Sequence, residues 1–333
     1  MREYRFDVAR VVCMTYIIAF MHLYAYIYPE GRNTFYIPVC VTMTDACLGL
    51  FTFISGYLLG KKYVFGKCGN CDWWTFYKKR LLRIIPLFVI ASIVLWLIDF
   101  NEITPTRNGI LCISPFVNPK PRTLWYIPVI LWCYIVTPLV SRNSMRWRFL
   151  SSICVFALLL IARSLFPSVD ERMIYNLFFY LTGIYMASCL GGKCNNAYFK
   201  YLKVLYILSF VLLISFGLYY SLLYRPSYIF AVGGLGVFAL LFICEGISKI
   251  IYYGQNAHHG SLRNIASFVV EKASYASMAC YMFHRFFYWA AEKIWNPSDT
   301  SVKWLFMAGC VYPIIVVSSY VIQKVYDDVQ KHI

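Results

Sequence analysis

The 333-residue chain is 60% apolar and 14% charged, with a formal net charge of +16. Counting glycine and leaving tyrosine out still gives about 57% apolar residues, against about 45–50% for soluble proteins, which excludes an ordinary soluble domain. The basic balance could point to nucleic acid, but the distribution of the cations described below excludes that reading.

Hydropathy predicts ten apolar runs, at 8–28, 38–60, 84–99, 123–140, 149–165, 173–190, 204–223, 228–248, 273–292 and 304–323. Each is near the ~20 residues needed to cross ~30 Å of hydrocarbon. The connections are short and no internal repeat stands out, so the sequence predicts one all-α domain over residues 1–333: a polytopic bundle of about ten transmembrane helices. The first run is longer than a signal-peptide core, and "PEGRNTFY" after it has no small-residue cleavage pattern, so it is expected to stay in place. Threaded alternately from a cytoplasmic N-terminus, the chain puts 21 of its 31 Lys and Arg on the inner side and 10 on the outer side or within spans. That bias predicts both termini in the cytoplasm, and the expected location is the cell inner (cytoplasmic) membrane. The chain's basicity reports topology, not a nucleic-acid partner.

Most of the 13 cysteines fall inside apolar runs, where a thiol acts as a small hydrophobe. Cys68 and Cys71, and Cys189 and Cys194, fall instead at inner loops. Four such thiols could hold zinc or stay reduced; the spacing favours reduced thiols and no metal is expected.

Ionisable groups are costly at mid-membrane and persist where they meet a partner or a cavity. In chain order, His22 lies well inside the first run, Asp45 in the second, and His284-Arg285 in the ninth. Arg10 is 12 residues before His22, about 18 Å along a helix axis, so one helix carries a cation at the inner surface and a base farther out. The segment "FYKKRLLRIIPLF" brings Lys79, Arg80 and Arg83 within one turn, a spacing suited to clamping phosphate or anchoring anionic lipid. Pro86 is expected to end that segment as a short basic amphipathic helix at the cytoplasmic surface. The proline-bearing stretch 101–122 could cover an outer site, and Trp125 and Tyr126 follow it as candidate sugar-stacking aromatics.

These pieces together resemble the acyltransferase-3 family of integral membrane acyltransferases. "FDVARVVCMTYIIAFMH" resembles its Asp-x-x-Arg followed by a first-helix histidine, "LFTFISGYLLGKK" its Phe-rich Ser-Gly-Tyr motif, and "FYKKRLLRIIPLF" its Arg-x-x-Arg-Ile-x-Pro signature. "TLWYIPVILWCYIVTPLV", "FFYLTGIYMA" and "ASYASMACYMFH" are similar to later motifs, in order. Two departures stand out. Eleven residues separate Arg10 from His22 where many members have ten, a rotation of about 100° that a bulge or another basic group would have to absorb. Many members also carry an acid where this chain has Gly49; Asp45, on the same helical face, could substitute.

The resemblance implies transfer of a short acyl group, usually acetyl, from cytoplasmic acyl-CoA to a hydroxyl of an extracytoplasmic polysaccharide or glycolipid. Lys79, Arg80, Arg83 and Arg10 would then bind the CoA phosphates. His22 would act as general base, a task suited to an imidazole's ordinary pKa near 6.5. Asp45 could orient it, Arg285 steady the oxyanion, and His284 serve as a second candidate base. The rival reading is a transporter or flippase of a glycan precursor, which would use the same buried ionisable groups.

Overall fold

The computed structural model describes residues 3–28, 36–64, 72–98, 124–141, 145–166, 169, 171–191, 226–253 and 260–332. Among them there is no strand. Eleven α-helices follow one another: α1 (Tyr4–Thr15), α2 (Leu23–Ile27), α3 (Tyr36–Leu59), α4 (Trp73–Ile98), α5 (Tyr126–Val140), α6 (Met145–Leu165), α7 (Glu171–Gly191), α8 (Pro226–Ser248), α9 (Gly260–Ile294), α10 (Thr300–Phe306) and α11 (Tyr312–Gln330). Wider π-helical turns join α1 to α2 (Tyr16–His22) and α10 to α11 (Met307–Val311), and extend α3 (Gly60–Val64) and α8 (Lys249–Tyr253).

Nine of the ten predicted runs lie on these helical segments, and the run 204–223 lies outside the described residues. Among the described residues, three segments are long and apolar enough to cross a membrane: Cys40–Tyr63, Trp73–Ile98 and Thr300–Gln330. Two shorter apolar helices are Tyr126–Val140 and Leu150–Leu165. The outward faces fit that reading. Ile314, Val317, Val321 and Val325 form an exposed apolar stripe along α11, as Ile90, Ile93 and Leu97 do along α4. The loop 101–122 and Cys68, Cys71 and Cys194 lie outside the described residues, as do Asp99 and the side chain of Cys189.

One expectation is corrected. Pro86 does not end a short basic helix; it lies inside the continuous α4, whose first turns carry Lys79, Arg80 and Arg83. A proline removes one backbone hydrogen bond, whereas breaking the helix in lipid would strand several peptide groups. The unbroken helix is the cheaper arrangement.

The chain divides into two compact units, Met1–Leu50 with Tyr201–Ile333, and Phe51–Lys200. In the first, α1 packs against α8 and α9, and α9 against α11. Its core contains Phe6, Met14, Ile17, Ile18 and Tyr288. In the second, α7 packs against the π turn that ends α3, and α5 touches α4, α6 and α7. Small residues set the α3–α7 approach. A Cβ at Gly56 would lie 2.1 Å from the Tyr180 carbonyl oxygen, and one at Gly183 2.2 Å from that of Phe53. Neither position has room for a side chain, as expected where helix backbones meet in lipid.

Candidate active site

The first unit brings together two histidines 262 residues apart in sequence: His22 Nδ1 lies 2.6 Å from His284 Nε2. Their rings are nearly parallel, with centroids 4.7 Å apart. His284 is fully buried and His22 half-buried. On the far side of the pair, His284 Nδ1 lies 2.9 Å from the Tyr281 carbonyl oxygen. A carbonyl can only accept, so Nδ1 of His284 carries hydrogen. A neutral His284 then accepts at Nε2, His22 donates from Nδ1, and the His22 lone pair resides on Nε2. The contacts run in sequence from the Tyr281 backbone carbonyl through the His284 ring to the His22 ring.

The backbone around His22 is unusual. It ends the π-helical segment Tyr16–His22, in which the Leu23 N–H reaches the Ile18 carbonyl, five residues back. A π turn accommodates one more residue than the α-helix it interrupts. It is a bulge of the kind the Arg10–His22 spacing called for. On an unbroken α-helix the two residues would sit about 120° apart in projection; absorbing one residue reduces this to about 20°. Arg10 itself pairs with buried Asp7 at 3.5 Å, and Asp7 accepts a 2.7 Å hydrogen bond from Ser274 on α9. Asp7 meets Ser274 and His22 meets His284, so α1 with the π turn that follows it runs parallel to α9.

The other residues singled out in the sequence fall as follows. Arg285, half-buried, offers its carbonyl to the Tyr26 hydroxyl at 3.5 Å, and its guanidinium carbon lies 6.0 Å from the centre of the Tyr26 ring. Asp45 is half-buried on α3. In the second unit, Lys79 and Arg83 are exposed on α4, and half-buried Arg80 lies over the Tyr134 ring at 5.7 Å. Asp72 starts that helix by accepting from the Trp74 N–H at 3.0 Å and from the Thr75 hydroxyl, which holds its carboxyl below the usual range. Trp125 is buried, with the Arg172 guanidinium stacked on it at 3.9 Å. The Tyr126 hydroxyl lies 3.1 Å from Thr52 Oγ1, which donates to Asn176 at 2.7 Å. No cluster of metal-ligating side chains occurs among the described residues.

Two polar groups escaped the sequence reading. Buried Lys303 reaches Glu292 and the Tyr26 carbonyl, both at 2.8 Å, tying α10 to α9 and α2. Tyr288 donates to the Ile18 carbonyl at 3.2 Å. In the sequence Lys303 is one of the ten cations on the outer side or within spans and Tyr288 is not singled out; their spacing from Glu292 and His284 is the only available signal.

A helical chain with exposed apolar stripes and a hydrogen-bonded imidazole pair, one ring fully buried and one half-buried, defines a membrane protein with an enzyme-like interior. The chain belongs to the acyltransferase-3 family: that family's acyltransferase domain matches residues 3–324, nearly the whole length. It is therefore an acyltransferase. No curated protein and no solved structure matches the chain.

Proposed function

We propose that the protein, as a single acyltransferase domain of about ten membrane spans with both termini in the cytoplasm, acetylates an extracytoplasmic polysaccharide or glycolipid. The donor is cytoplasmic acetyl-CoA or another short acyl-CoA, and the membrane is the cell inner membrane. His22 is the general base. The observation that carries this reading is the directed pair His22–His284, because the Tyr281 carbonyl selects the tautomer that leaves the lone pair on His22 Nε2. The parallel course of α1 and α9 supports the topology.

The sugar hydroxyl oxygen attacks the thioester carbonyl carbon while His22 Nε2 takes the hydroxyl proton. The tetrahedral intermediate collapses with cleavage of the C–S bond, and the departing CoA thiolate takes that proton back from the imidazolium. His284 fills the orienting role that the sequence offered to Asp45. The donor hydrogen bond from His22 to His284 also favours the developing imidazolium, as the carboxylate does in a Ser-His-Asp triad. Arg285, next to His284, supplies positive charge for the oxyanion. Lys79, Arg80 and Arg83 are the cations assigned to the donor's phosphates; Lys79 and Arg83 are exposed, as capture of an anion from the cytosol requires, and half-buried Arg80 lies between them in sequence. Arg10 adds a cation on the helix that carries His22. Trp125 and Tyr126, buried at the start of α5 with the Arg172 guanidinium against the Trp125 ring, are assigned to the acceptor site.

Mass spectrometry of the host's surface glycans with and without the protein tests the reading. O-acyl groups should disappear from one glycan class when the protein is removed and return with wild-type protein but not with His22→Ala. An unchanged acylation pattern would refute it.

A further inference from the structure

The position of His22 depends on a helix that departs from α geometry just before it, and a π turn needs something to hold it against relaxation to an α-helix. The geometry points to Tyr288 as that holder: a positioning residue whose hydroxyl pins the π turn and thereby aims His22. The inference rests on the reading of His22 as the base.

Three observations converge. The Tyr288 hydroxyl donates to the Ile18 carbonyl at 3.2 Å, and this same carbonyl receives the five-residue bond from Leu23 N–H that makes the turn π-helical. Tyr288 is fully buried, so the bond lies in surroundings where its loss is not made good by water. Tyr288 also follows His284 by four residues, one turn along the same face of α9, with the two rings edge-to-face at 6.3 Å. One face of α9 thus contacts the irregular turn at two levels: His284 fixes the imidazole and Tyr288 fixes the backbone that carries it. The Tyr26 ring, one turn beyond His22, packs on Tyr288 at 5.4 Å and closes the far side. A phenol is needed here because a hydrocarbon of the same shape fills the space but cannot share the Ile18 carbonyl.

The test is a double-variant cycle in purified protein reconstituted in lipid vesicles, with labelled acetyl-CoA as donor and the acylated glycan as product. Tyr288→Phe should lower kcat at least about tenfold, since misplacing a reacting group by about 1 Å can cost about a hundredfold. The KM for acetyl-CoA should be unchanged. Removing the surplus residue by deleting Ala19, the smallest member of the turn and a half-buried one, should let the segment close as an α-helix and keep transfer. In that background Tyr288→Phe should have no further effect on kcat. Equal losses in both backgrounds, or a Tyr288→Phe enzyme of wild-type kcat, would overturn the inference. If Tyr288→Phe alone does not fold, the same change in the Ala19 deletion decides: a folded, active double variant supports the inference, and one that fails as the single variant does refutes it. Failure of the base reading would appear separately, as transfer surviving in His22→Ala.

Discussion

Both units cross their helices with polar side chains, but among the described residues only the second brings helix backbones together at glycine. In the first, polar side chains cross between helices: His22 to His284, Asp7 to Ser274, Thr15 to Tyr312 at 2.6 Å, and Lys303 to Glu292. In the second, the close α3–α7 approach rests on absent side chains, at Gly56, Gly60 and Gly183, and Thr52, Asn176 and Tyr126 add a small buried network. Hydrogen bonds in lipid are worth about 1 kcal/mol each, and losing one perturbs geometry more than stability. A steric contact has no such latitude, because backbone cannot move aside for a new Cβ. The first unit should thus reveal itself in catalysis, and the second in folding.

The largest effect is expected from Gly183→Leu, whose Cβ would lie 2.8 Å from the Tyr57 nitrogen as well as 2.2 Å from the Phe53 oxygen. No monodisperse protein should survive detergent extraction, as size-exclusion chromatography would reveal. Next is His284→Leu, which removes the acceptor that orients His22. Transfer should fall about a hundredfold, within the range of a general-base contribution, while the protein extracts and elutes like wild type. A protein that unfolds instead would mean the polar contacts of the first unit are structural in the same sense as the glycines. The smallest effect belongs to Arg80→Ala with Arg83→Ala on the exposed start of α4. Affinity for acetyl-CoA should drop about tenfold, less at high salt because exposed charges are screened over about 8–10 Å. Undiminished donor binding would remove these cations from the phosphate site.

The helices were legible because a run of apolar residues long enough for lipid has little choice but to be helical. His22, Arg10 and His284 stood out for the converse reason: a titratable group in such a run needs a partner to justify it. What could not be read was the partner itself. The pairing of His22 with His284 spans 262 residues, and nothing local specifies it. Nor could the π turn be located, since its register is set by a hydroxyl on another helix and "YIIAFMH" is an unremarkable apolar heptad. Pro86 misled because proline is punctuation in water, where a broken helix finds solvent, but not in lipid. Trp125 was legible as an aromatic that follows a loop; that Arg172, 47 positions later, stacks on it follows only from the fold.

The central claim is that His22 takes the acceptor's proton. Its most direct test is a single-turnover assay of His22→Gln in reconstituted vesicles, with donor binding and acyl transfer measured on the same preparation. Acetyl-CoA binding should stay within about twofold of wild type while transfer falls by about 10²- to 10⁴-fold. Transfer at the wild-type rate, with binding intact, would contradict the account.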